Sequence, residues 1–133
     1  MRNNIIKGEI KYMQDLRIQK LAKNLLNYSV SLRKGENILI EILGEDAMPL
    51  GKELIKQAEE IGANPIFNII NYQLLKEMLK NTSEEQIKLY AKHDLQRMQN
   101  MDAYIGIRAS SNTAELNGIS KEKIEMYNKY YTL

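Results

Sequence analysis

Along the chain, apolar residues first fall into a regular pattern after Asp15. Ile18, Leu21, Ala22, Leu25 and Leu26 recur at three- and four-residue spacings, which places them on one stripe of a helix. Asp15 suits the N-cap, because its carboxylate accepts from unpaired N–H groups of the first turn. The pattern runs to about Leu32 and stops at Lys34-Gly35, where glycine takes the left-handed conformation that ends helices. The periodicity then changes. Asn37-Ile38-Leu39-Ile40-Glu41-Ile42 is a short isoleucine-rich run bounded by turn residues, and it reads as a buried strand.

Leu43 to Asp46 predicts a loop, with Asp46 as N-cap and Pro49 in the next first turn, where its missing N–H does no harm. Leu50, Leu54, Ala58 and Ile61 mark one face of a second helix, closed by Gly62. Pro65 to Ile70 predicts a second strand, with Pro65 at its first position, where proline is tolerated. Tyr72 to Lys80 predicts a short helix. Ser83-Glu84-Glu85-Gln86 matches a capping box. Ile87, Tyr90, Ala91, Leu95 and Met98 form the expected buried face of the helix that follows it. Asp102 to Ile107 predicts the third strand, Ser110 to Asn117 a polar loop, and a last amphipathic helix begins near Ser120 with Ile124, Tyr127, Tyr130 and Tyr131 along it.

Strands alternating with crossover helices imply an α/β fold. The expected architecture is a three-layer one, a parallel sheet with helices on both faces, of the Rossmann-like or flavodoxin-like kind. The crossovers are expected to be right-handed, and the expected strand order is second, first, third. Residues 1–133 are read as one α/β domain.

Composition narrows the chemistry. Nineteen basic and 17 acidic side chains give a net charge of +2, spread along the chain, whereas a nucleic-acid binder needs a concentrated basic face. No apolar run approaches a membrane span, and residues 1–15 hold no signal-peptide core. Neither nucleic acid nor membrane is expected as a partner, and the expected location is cytoplasmic. With no cysteine, disulfides, thiolate metal sites and thiol nucleophiles are all excluded. The one histidine, His93, reads as a surface residue among Lys92, Asp94 and Gln96, since zinc needs three or four ligands. Glu45-Asp46 and Glu59-Glu60 are the obvious carboxylate pairs, and neither has calcium-loop spacing. Glu59-Glu60 reads as a solvated helix face. Neither glycine-rich nucleotide fingerprint is present.

The most informative polar stretch is Arg108 to Glu115, directly after the third strand. Open parallel sheets bind ligands beyond the carboxyl ends of their strands. On that geometry Glu45, Asp46, Asn71, Arg108 and Asn112 form a candidate strand-end pocket. The plainer alternative pairs Arg108 with a nearby carboxylate and leaves Asn112 to cap a turn. No nucleophile, base and orienting group occur together, so no catalytic or metal-binding residue is assigned.

Three stretches carry a family resemblance. They are Asp15-Leu16-Arg17-Ile18-Gln19-Lys20-Leu21-Ala22 with Asn27-Tyr28-Ser29-Val30, then Lys34-Gly35-Glu36-Asn37-Ile38-Leu39-Ile40-Glu41, and Asp102 to Arg108 running into Asn112 and Glu115-Leu116. Gly62-Ala63-Asn64-Pro65 adds to them. Their order and spacing resemble the N-terminal domain of the thermophilic metalloaminopeptidases, the aminopeptidase T and aminopeptidase S family, over about residues 13 to 127.

That resemblance implies a homodimeric exopeptidase with an enclosed chamber, which removes N-terminal residues from peptides with two divalent metals, cobalt or zinc. In such a site the metals activate a bridging water and clamp the tetrahedral intermediate. The family's ligands lie in a C-terminal domain, so none is carried onto this sequence. The chain is therefore expected to be a truncated, non-catalytic domain that needs the missing catalytic domain as its partner. A different reading is a freestanding domain that binds a small anion or nucleotide near Arg108. A phosphoacceptor regulatory domain ranks last, with Glu45 and Asp46 its one partial match.

Overall fold

The computed structural model describes residues 1–7, 15–109 and 118–131. Four parallel strands, β1 (Arg2–Lys7), β2 (Asn37–Leu43), β3 (Asn64–Ile70) and β4 (Ala103–Arg108), form one open sheet in the order β1-β4-β2-β3. The expected order of the three recognised strands holds, and so does the parallel α/β class. The correction is the fourth strand. Arg2–Lys7 has the sequence RNNIIK, and neither of its isoleucines is fully buried. It sits at the sheet edge, where one paired side is enough, and so it lacks the apolar run of a central strand.

The chain divides into two compact units. The first holds the whole sheet together with α1 (Asp15–Asn24) and α2 (Met48–Ile61). Ile38, Ile40 and Ile42 of β2 and Ala103, Ile105 and Ile107 of β4 share a core with Ile18 and Ala22 of α1 and Leu50, Leu54 and Ala58 of α2. These strand residues are spaced by two, so they define one face of the sheet. Gly51 lets α2 settle close to β2: a Cβ built there would run into Ile42. Gly62 closes α2 at φ 91°, as its position in the sequence suggests.

Local departures from the sequence reading have clear causes. The first helix does not run on as an α-helix to Leu32. It passes at Leu25–Ser29 into a π turn, with Val30 N–H bonded to Leu25 O at 3.0 Å. The wider turn keeps Leu25, Leu26, Val30 and Leu32 all buried. Asp15 is the first helical residue. Asp46 does not cap α2; it lies in a 3₁₀ turn, Glu45–Ala47, and Ala47 takes the cap position with Pro49 just inside the helix.

The second unit contains α3 (Tyr72–Lys80), α4 (Glu84–Met98) and α5 (Lys121–Tyr131). Asn71 caps α3 by accepting from Leu74 N–H at 3.1 Å, and Ser83 caps α4 by accepting from Gln86 N–H at 3.1 Å. Ile87 and Ala91 of α4 are buried as expected, while Leu95 is exposed and Asp94 is buried in its place, paired with Arg97 one turn on. Lys123 of α5 donates to the carbonyl of Thr82 between α3 and α4. Ile124 is half-buried, and the side chains of Tyr127, Tyr130 and Tyr131 lie outside those described. Among the described residues no helix is long and apolar enough to cross a membrane.

Candidate functional site

Parallel pairing sets the strand ends level. Leu43, Ile70, Arg108 and Lys7 close their strands in register, since Leu43 pairs with both Ile70 and Arg108, and Arg108 with Lys7. Glu45 and Asp46 follow Leu43 in the 3₁₀ turn and are exposed. Arg108 is half-buried at the end of β4. Among the described residues no salt bridge joins it to Glu45 or Asp46. Asn71 belongs to the second unit, where its carbonyl oxygen is used as the α3 cap. Asn112 lies outside the described residues.

Lys7 is the cation that a three-strand reading does not reveal. It stands opposite Arg108 on the neighbouring strand. Directly opposed residues on adjacent strands point to the same face, and like charges there repel. The last residues of β1 and β4 therefore make a small positive patch at the carboxyl edge.

A second polar group lies in the middle of the sheet, on the face opposite the apolar core. Glu41 accepts from the Tyr104 hydroxyl at 2.9 Å and from Asn68 Nδ2 at 3.4 Å. Register explains the meeting. Glu41 pairs with Gly106 on one side and Asn68 on the other, and Tyr104 stands two residues before Gly106. Glu41 is the one charged residue inside an otherwise apolar strand, and that exception was the available sequence signal. Its carboxylate is held by neutral donors, an arrangement that satisfies a half-buried charge.

At the amino-terminal end of the sheet, Glu36 accepts from Arg2 at 2.5 Å and from Arg33 N–H at 2.8 Å. The hydrogen bond from Arg2 is the main cause that holds its carboxyl below the usual range, with the Arg33 amide adding to it and desolvation opposing. Arg2 also donates to Val30 O at 2.6 Å. This cluster ties β1 to the turn before β2 and has no nucleophile.

His93 is exposed on α4. Among the described residues no three His, Cys, Asp or Glu side chains come together as a metal-holding group. The described residues therefore do not fit the metal pair implied by the family resemblance, and no hydrolytic step is derived through one. A groove of about 520 Å³ runs between α1 and α2, lined by Lys20, Lys23, Lys56, Glu53 and Glu60 among others. Its charges are mixed, and Gln57 fills part of it by donating to Glu53 and to Gln19 O.

Comparison with known proteins gives two findings. Residues 14–132 match the family described as thermophilic metalloprotease (M29). A solved structure, wild-type AmpT from Thermus thermophilus, is similar with a TM-score of 0.63 at 21% identity, over 86% of this chain and 30% of that chain. Likeness at that identity speaks for the fold. The chain thus spans less than a third of the length of that structure. No curated protein matches it.

Proposed function

The chain belongs to the M29 family of thermophilic metalloproteases, and on that premise we propose that it serves as the N-terminal, non-catalytic domain of a metal-dependent aminopeptidase. In this reading the longer polypeptide removes N-terminal residues from peptides, with cobalt or zinc held by residues beyond this domain. The domain gives the chamber a rigid wall and supports a dimer. A cytoplasmic location goes with a sequence that has no cysteine. The observation that supports the reading is the family match over residues 14–132, in a chain whose described residues bring no metal-ligand group together.

Hydrolysis of leucyl p-nitroanilide with added cobalt or zinc tests it. This chain is expected to give no turnover, and the polypeptide encoded by a reading frame continued beyond Leu133 to give metal-dependent turnover. Turnover by this chain, proportional to protein and abolished by Arg108→Ala, would overturn the proposal.

A second reading is favoured by one observation, the opposed Lys7 and Arg108 at the carboxyl edge. An anion placed there, on the strand ends that Glu45 and Asp46 follow, would relieve the repulsion between the two cations. A ligand of the native state raises its melting temperature by mass action. Phosphate or a nucleotide should then shift melting beyond sodium chloride of equal ionic strength, and Lys7→Met should remove the shift. If the wild type shows no shift, this reading fails.

A further inference from the structure

β1 is gripped unevenly along its length. At its amino end Arg2 makes three bonds. Its N–H donates to Asp102 O at 3.2 Å, its Nε to Val30 O at 2.6 Å and its guanidinium to Glu36 at 2.5 Å. Further along, Ile6 packs against the core as a half-buried residue, while Ile5 is 44% exposed. At the carboxyl end Lys7 stands opposite Arg108, and like charges directly opposed destabilise a strand pair. Among the described residues no salt bridge gives either cation a carboxylate partner. β1 also precedes residues 14–132, the stretch that the family match covers, so membership of the family does not account for this arrangement.

Register identifies the backbone groups that report on each end. Arg2 N–H bonds to Asp102 O on one side of β4, and Ala109 N–H bonds to Leu43 O on the other. Backbone groups alternate along a strand. Tyr104, Gly106 and Arg108 therefore turn their N–H groups toward β1, and Ala103, Ile105 and Ile107 turn theirs toward β2. In the parallel register the acceptors on β1 are the carbonyls of Arg2, Asn4 and Ile6. Three amides thus sample β1 from its fastened end to its charged one.

We propose that β1 is a strap, fastened at Arg2 and loosened at Lys7, which a small anion bridging Lys7 and Arg108 closes. Without the anion, the carboxyl half of β1 leaves β4 in part of the population, pivoting on the Arg2 clasp, and uncovers the backbone of Gly106 and Arg108. With it, two positive charges share one counter-charge and the strand pairs through to Lys7. An anion held by both cations favours the closed form, so binding and closure are one equilibrium. The motion takes place at the carboxyl edge of a parallel sheet, where ligands of such folds bind. The inference rests on the anion reading of that edge and adds the movement coupled to it.

Amide hydrogen exchange of the chain, followed residue by residue at constant ionic strength, tests it, because exchange reads the population of locally opened forms. Rates at Ile105 and Ile107, bonded to β2, serve as the reference for the others. In sodium chloride, Gly106 and Arg108 should exchange faster than Tyr104. Lys7→Glu turns repulsion into attraction and should slow Gly106 and Arg108 roughly threefold or more, leaving Tyr104 unchanged. Arg2→Met acts at the other end and should speed Tyr104 roughly tenfold. Inorganic phosphate should slow Gly106 and Arg108 in the wild type and not in Lys7→Glu. A charge that only guards the edge against pairing would serve with either sign, so equal rates at Gly106 and Arg108 in wild type and Lys7→Glu overturn the proposal. Wild-type rates that phosphate leaves unchanged overturn it equally. Melting separates the two readings: a phosphate-induced shift without slower exchange leaves the anion reading standing while the strap falls, and no shift with no slowing ends both.

Discussion

Tyr104 occupies the space that a side chain at Gly106 would fill. A Cβ at residue 106 would stand 2.8 Å from the Tyr104 hydroxyl and 3.2 Å from its ring. The ring therefore folds over Gly106, which brings its hydroxyl to Glu41, the residue paired with Gly106 on β2. A glycine in a central strand thus has a packing reason here, a close approach rather than a turn.

Gly106→Ala is expected to push the ring off Glu41 and destabilise the chain by about 1–3 kcal/mol. Tyr104→Phe, which removes the hydroxyl alone, should cost about 1 kcal/mol. Urea unfolding of both variants, and of Gly106→Ala in a Tyr104→Ala background, checks the account. If Gly106→Ala costs as much without the ring as with it, the packing explanation is wrong.

Gly51 makes a parallel case between layers. Its missing Cβ leaves room for Ile42, whose Cγ1 would lie at 3.1 Å and whose Cδ1 would be closer still. Alanine gains up to about 1 kcal/mol in helix propensity and loses about 1–3 kcal/mol to overpacking, so Gly51→Ala should be neutral to destabilising. Trimming Ile42 to valine should make the same substitution more favourable. A double-mutant cycle from denaturation curves measures that coupling, and a coupling of zero would refute it.

Glu36 connects β1 to acidity. Its folded pKa is lowered from 4.5, chiefly by the Arg2 hydrogen bond. A lowered carboxyl pKa contributes stability that is present above the unfolded value and is lost as pH falls through the folded value. Arg2→Met should therefore lower the melting temperature at neutral pH. The gap to wild type should close as pH falls below 4.5. Melting followed across that range decides it: a gap that widens in acid contradicts the assignment.

Metal should leave this chain indifferent. No metal-ligand group comes together among the described residues, so micromolar cobalt or zinc is not expected to raise the melting temperature. A saturable upshift, removed by a chelator, would place a metal site in the chain and count against the non-catalytic reading.

Much of the fold was legible in the sequence because local signals and tertiary burial agree along the central strands. Apart from Glu41, Ile38 to Leu43 is apolar because β2 has neighbours on both sides, and periods of three and four mark α2 because only one of its faces meets the sheet. Gly62, Ser83 and the Tyr72–Lys80 helix were readable for the same reason: each end is set by groups a few residues apart. β1 was not readable. An edge strand needs a neighbour on one side only, so Arg2–Lys7 carries little pattern, and its partner β4 lies about a hundred residues away in sequence. The candidate edge divides likewise. The sequence by itself placed Arg108 and Glu45 at the carboxyl ends of strands, although Arg108 is the last residue of β4 rather than the first beyond it, while only the tertiary register set Lys7 opposite Arg108 and gathered Glu41, Asn68 and Tyr104 at one point. Periodicity reports which face of an element is buried. Which residue stands opposite which is decided when distant strands pair, and that is long-range packing.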